Sequence, residues 1–268
     1  MTSSSALSRR ADREPSGRLF RLVGWLGGGL LRLTTRQDWR PGGGLPRTGG
    51  VIVVVNHVSN FDPVALGHFL IGSGRWPRYL AKRELWDVPV LGWLLRELEQ
   101  IPVARNTQRA SDALTAARQA LERGRCVVVY PEGTITDDPE GWPMTGRPGA
   151  AILACETGCP VVPIGQWGAQ EVMGYRHPTF PRLVPRKVMR MAVGVPFPAM
   201  TPEPEPSPER VRALTIAYMD AVAALVGSLR GRTPPADRYD PRVGKRVPRP
   251  KQPSEVDTVG PDEGNPDA

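Results

Sequence analysis

The sequence is poor in lysine, histidine and cysteine, and no apolar run near its start is long enough to cross a bilayer. Of its 35 basic residues only Lys82, Lys187, Lys245 and Lys251 are lysines. With 29 Gly and 30 Pro beside the many arginines, the composition is that of a GC-rich coding bias, so a single Arg says little about a site. Three cysteines, Cys126, Cys155 and Cys159, exclude a disulfide scaffold. Their C-x3-C pair has no neighbouring His and excludes a zinc site there. The N-terminal apolar run Leu22–Leu31 is broken by Gly24 and Gly27–Gly29. As a helix, such a run spans about 15 Å against about 30 Å of hydrocarbon. It reads as neither a secretory signal nor a span, but it can lie in one leaflet.

What is present is a 268-residue chain with 40% hydrophobic residues, enough for one sizeable domain with appendages. Its net charge of +8 suggests a polyanionic partner: nucleic acid, an anionic membrane or a phosphorylated substrate. The excess is localised. Residues 1–40 hold eight Arg against three acids, whereas residues 231–268 hold seven of each sign. The surplus therefore flanks the short apolar run, which favours a membrane surface. No stacking platform or basic recognition helix supports nucleic acid.

Residues 1–16 are Ser- and Arg-rich and are expected to be disordered, and 17–40 read as an amphipathic membrane-associating segment. The open alternative for 17–40 is a helix packed on the domain. Residues 231–268, with eight Pro and few large apolar residues, read as a disordered Pro-rich tail. Between them strands and helices alternate. Val51–Val55 is a β-branched run, as in a strand buried on both faces. Helices are expected over 63–71, 89–98, 107–123, 149–156 and from Ser207 to about Leu229. Strands are expected over 79–81, 101–103, 126–130, 161–164 and near 189–195. The alternation predicts an α/β fold, a layered sheet flanked by helices in a single domain over 41–230.

Three polar clusters follow strands. Asn56-His57-Val58-Ser59-Asn60-Phe61-Asp62 leaves Val55 directly. His57 can accept a proton near neutral pH, and Asp62 can return across a turn to fix its tautomer. Equally, Asp62-Pro63 suits a helix cap followed by Pro, and Asn56 and Asn60 suit a turn. Tyr130-Pro131-Glu132-Gly133-Thr134 offers an acceptor, a close backbone approach and a donor, or simply a strand exit. Arg105, in Ile101-Pro102-Val103-Ala104-Arg105, could clamp a phosphate or lie on the surface, and Lys82 in Lys82-Arg83-Glu84-Leu85 carries the same ambiguity. Gly141–Pro148 has the outline of a phosphate loop, but with Arg and Pro where Lys and Ser/Thr are required. No G-x-S-x-G elbow is present. His68 and His177 lack metal-ligand spacing; His68 reads as a helix-surface or packing residue and His177 as a loop residue.

Together these stretches resemble the glycerolipid acyltransferase family, whose typical member is a bacterial lysophosphatidic acid acyltransferase. The family's N-H-x4-D appears as Asn56-His57 through Asp62, followed in order by Lys82–Leu85, Ile101–Arg105, Tyr130–Thr134 and the apolar Pro160–Ile164. The resemblance covers roughly residues 45–200. It implies an acyltransferase domain that moves an acyl group from acyl-CoA or acyl carrier protein to a lysophospholipid hydroxyl, with 1-acyl-glycerol-3-phosphate the leading acceptor. In that reading His57 is the general base and Asp62 its partner. Lys82, Arg105, Glu132, Gly133 and Thr134 hold the acceptor, no metal or cofactor is needed, and the enzyme works on the cytoplasmic face of the cell membrane. The family often has Arg-Ser after its third motif; here Ile135-Thr136 follow, and Arg147 is the substitute cation. That departure leaves other acceptors open, among them glycerol 3-phosphate, another lysophospholipid or a glycolipid, and beside them a catalytically weak lipid-binding module.

Overall fold

Among the described residues the first element is a helix, α1 (Arg18–Thr34), which runs directly into a strand, β1 (Thr35–Arg40). There follow β2 (Val51–Val55), α2 (Asp62–Gly72), β3 (Pro77–Lys82), a 3-10 turn over Arg83–Asp87, α3 (Pro89–Glu97), β4 (Ile101–Val103), α4 (Ala110–Glu122) and β5 (Cys126–Val129). A long loop leads to α5 (Gly149–Thr157), β6 (Val161–Trp167), α6 (Ala169–Val172), β7 (Lys187–Val193), α7 (Pro208–Arg230) and a hairpin of β8 (Asp237–Asp240) and β9 (Lys245–Pro248). The computed structural model describes residues 17–40, 42, 44–103, 110–175 and 180–249, with 110 and 111 by backbone alone.

Seven strands form one mixed sheet in the order β1-β7-β6-β2-β5-β3-β4, flanked by helices as the alternation predicts. β6, β2, β5, β3 and β4 run parallel, β7 opposes β6, and β1 is parallel to β7. The central place of β2 explains its unbroken apolar run. Val51, Val53 and Val55 enter one core with Leu66, Phe69 and Leu70 of α2. Ile52 and Val54 enter the other, with Ala117 and Leu121 of α4, Leu153 of α5 and Val222 of α7. Burying each such side chain stabilises the fold by about 1.5–3 kcal/mol before entropy is counted. Because five strands are parallel, their C-terminal ends lie along one edge, the usual location of an α/β site.

Two segments differ from the sequence expectation. The first is 35–40, whose polar Thr-Arg-Gln-Asp-Trp-Arg pairs along β7 from Thr35↔Lys187 to Arg40↔Ala192. At the edge of a sheet, backbone pairing and one inward face suffice; Thr35 is buried and Trp39 packs on the core, so the rest can stay polar. The second is the expected disordered tail, which is ordered over the β8–β9 hairpin. Its attachment is ionic, Arg238 to Asp220 at 2.7 Å and Arg246 to Asp138 at 2.7 Å, so a count of apolar residues misses it.

α1 has two faces. Phe20, Gly28 and Leu31 are buried towards α2. A Cβ at Gly24 would come within 2.9 Å of the Trp76 ring, so glycine lets the helix seat closely. The opposite face carries Leu22, Trp25, Leu26, Leu30 and Leu33, with Trp25 73% and Leu33 75% exposed. Among the described residues one helix, α7, is long and apolar enough to cross a membrane. Val211, Tyr218, Val222 and Val226 bury that helix against the domain.

Candidate active site

Directly after β2 the chain turns and brings Asp62 back to His57. Asp62 Oδ2 lies 2.8 Å from His57 Nδ1 and also accepts the backbone N–H groups of Val58 at 2.6 Å and Ser59 at 2.8 Å. The cap reading of Asp62 therefore fails: its side chain turns back to the preceding loop, and Phe61 holds the N-cap position without a side-chain bond. Asp62 is fully buried, and the His57 side chain keeps 18% exposure. A carboxylate facing Nδ1 fixes the proton there, which leaves Nε2 as the lone-pair nitrogen. Ser59 braces the turn by donating to the Met173 carbonyl at 2.6 Å and accepting from Phe61 N at 3.0 Å.

Glu132 stands beside this pair but does not line an acceptor pocket, which corrects the reading of it as a substrate contact. It is 1% exposed, and its two oxygens accept His57 N at 2.8 Å and Met144 N at 2.9 Å. Burial pushes its carboxyl up to about 8, against the pull of those two N–H bonds. Glu132 is a positioning residue. It ties the backbone of His57 to the loop after β5, and Thr136 N completes the tie by donating to the His57 carbonyl at 2.8 Å.

The remaining motif residues collect on the same edge. Gly133, at φ +70°, sits under the Arg147 side chain, and a Cβ there would meet Arg147 Nε at 2.6 Å. Arg147 is exposed and Thr134, next to Gly133, is half-buried. Lys82 ends β3, the second strand over from β2, and is exposed. Arg105 lies outside the described residues, two positions past the end of β4, and His177 lies outside them as well.

Some supports have roles that the motifs do not specify. The His57 ring stacks on Tyr130 at 4.3 Å, and Tyr130 on Tyr79 at 6.3 Å. Asn56 is not a turn residue but one half of a buried amide pair. It donates to the Gln166 carbonyl at 3.0 Å and accepts Gln166 N at 2.9 Å, while Gln166 Nε2 donates to the Asn56 carbonyl at 2.7 Å. The available signal was a Gln in an otherwise apolar strand. His68, read as a packing residue, is buried with its ring edge-on to Trp39.

Comparison with known proteins gives the same picture. Residues 42–167 match the model of the Acyltransferase family. A chloroplastic 1-acyl-sn-glycerol-3-phosphate acyltransferase of Brassica napus is 30% identical over 123 residues, 46% of this chain and 34% of that protein. A 1-acyl-sn-glycerol-3-phosphate acyltransferase of Bacillus subtilis is 26% identical over 185 residues, 69% of this chain and 85% of that one. The chain spans about a third of the length of the first curated relatives that it matches. In fold it is similar to the crystal structure of the 1-acyl-sn-glycerophosphate acyltransferase PlsC of Thermotoga maritima, with a TM-score of 0.62, 24% identity and 80% of each chain covered. Residues 42–167, the segment that carries a buried Asp returning to an edge histidine, are thus similar to the Acyltransferase family, in a fold shared with a solved member of that group.

Proposed function

We infer that this protein transfers a fatty acyl group from a thioester, acyl-CoA or acyl carrier protein, to the hydroxyl of a lysophospholipid, with 1-acyl-glycerol-3-phosphate as acceptor and phosphatidic acid as product. The observation that carries the reading is the 2.8 Å contact between His57 Nδ1 and a buried Asp62 oxygen. Nε2 of His57 takes the proton of the acceptor hydroxyl as its oxygen attacks the thioester carbonyl. Asp62 stabilises the imidazolium so formed. The tetrahedral intermediate then expels the thiolate, the C–S bond breaks, and His57 returns the proton to sulfur. The thioester is already activated, so no acyl-enzyme is required. A positioned base of this kind contributes about 10²–10⁴-fold.

Substrates of this class reside in a membrane, and two exposed apolar surfaces suit one. The first is the outer face of α1, where Arg18, Arg21 and Arg32 are also exposed. The second is the 3-10 turn and α3, with Val88, Val90 and Trp93 exposed. Phe20 of α1 and Leu98, just past α3, join one small cluster, which makes the two surfaces neighbours. Apolar side chains beside arginines favour an anionic leaflet.

The test is an acyl-CoA assay against a panel of lysophosphatidic acid, glycerol 3-phosphate, other lysophospholipids and monoacylglycerol, with products read by mass spectrometry. Phosphatidic acid as the dominant product supports the reading; a purified, folded enzyme that acylates none of the panel rejects it.

A further inference from the structure

Beyond the His57–Asp62 pair, the same edge holds an arginine that makes no ion pair among the described residues. Arg230, the last residue of α7, lies between two indoles, 4.0 Å from the Trp142 ring centroid and 4.2 Å from that of Trp167. Such a double stack fixes a guanidinium in place. It does not satisfy the N–H groups. Arg230 Nη1 is buried with no hydrogen-bond partner among the described residues. Trp142 Nε1, on a side chain only 3% exposed, is buried and unpartnered as well.

The nearby carboxylates are already committed. Asp138 receives Arg246 at 2.7 and 3.0 Å, and Glu140 receives Arg232 at 2.7 Å and Arg246 at 2.9 Å. Arg232 adds a second positive charge over Trp142, at 5.8 Å. Burial first, and then Arg232, lower the basicity of Arg230, against the weaker pull of Tyr175, Glu140 and Asp138. Two orphan donors on adjoining groups, one of them charged, are costly to leave unmade. They match an oxyanion that brings several acceptor lone pairs.

Both plates are tied to His57. Thr136 Oγ1 donates to the Trp142 carbonyl at 2.7 Å, and Thr136 N to the His57 carbonyl at 2.8 Å. Trp167 follows Gln166, whose amide pairs with Asn56 next to His57. An anion bound at Arg230 is therefore held by the same loops that hold the base.

We propose that Arg230 and Trp142 Nε1 form a binding site for the phosphate monoester of a substrate, with Trp142 and Trp167 as the plates that preset the guanidinium. The identity of that substrate rests on the acyl-transfer reading: the phosphate belongs either to the acceptor or to the nucleotide of the thioester donor.

The experiment has a binding arm and a kinetic arm. In the first, intrinsic tryptophan fluorescence of the full chain is titrated with inorganic phosphate and with glycerol 3-phosphate. The wild type gives a saturable change. Arg230→Met, which keeps the stack's apolar bulk, weakens binding at least tenfold, Trp142→Phe weakens it several-fold, and Arg230→Lys falls between wild type and Arg230→Met. In the second, a rise in KM of tenfold or more for lysophosphatidic acid in Arg230→Met, with kcat nearly unchanged, assigns the site to the acceptor. The same rise for acyl-CoA assigns it to the donor. Wild-type phosphate titrations in a folded Arg230→Met and Trp142→Phe, with both KM values unmoved, overturn the proposal. Phosphate binding needs no turnover, so an inactive wild type that still binds phosphate through Arg230 rejects acyl transfer and leaves this site standing.

Discussion

Asp62 Oδ2 holds His57 Nδ1 at 2.8 Å while the same oxygen accepts two backbone N–H groups, so one buried atom fixes both the loop and the base. Asp62→Asn retains the shape but loses the charge that stabilises the imidazolium. The expected result is a fall in kcat of about 10²–10⁴-fold with little change in KM. Steady-state rates on the purified variant, beside its circular dichroism, check this.

Glu132 acts on His57 through the backbone. In Glu132→Gln one oxygen serves where two are needed, and the amide NH2 confronts an N–H. One unmet buried donor costs about 1–3 kcal/mol, roughly 10–100-fold in kcat if the misplacement falls on His57. A structural role elsewhere would lower the melting temperature and leave kcat of the folded fraction alone.

The outer face of α1 is predicted to seat on an anionic leaflet. Removing residues 1–40 would also strip β1 from the sheet, so the cleaner change is Trp25→Glu with Leu30→Glu. Flotation with anionic vesicles should recover far less of this variant than of wild type. Equal recovery would remove α1 from the account.

His68 supplies a pH signature that does not depend on turnover. Burial and then Arg32 lower its pKa from 6.5 to about 4. The unfolded chain protonates this group near 6.5 and the folded one does not, so its contribution to stability is complete above 6.5 and is lost as pH falls towards 4. Thermal unfolding across that window should show wild type losing about 3 kcal/mol relative to His68→Leu by the acid end. A constant difference would show that His68 does not titrate in this way.

The legible parts of the molecule were those in which local chemistry and tertiary role coincide. Val51–Val55 reads as a doubly buried strand because both faces of β2 are packed. His57 and Asp62 were legible because five residues of separation is a local turn. Glu132 was legible as a residue but not as a role, since spacing says nothing of whether a carboxylate faces a pocket or the backbone of a neighbouring loop. β1 escaped notice because an edge strand needs no apolar alternation. The hairpin escaped because its anchors, Asp220 and Asp138, are 18 and 108 residues from their arginines. Arg230 was one arginine among many until the fold set it between Trp142 and Trp167.

Turnover of acyl-CoA and lysophosphatidic acid by His57→Ala tests whether His57 is the base of an acyl transfer. The ring keeps 18% exposure, so its loss should leave the fold intact, with unfolding close to that of wild type. This folded variant should lose nearly all transferase activity; wild-type turnover in it would rule out His57 as the base.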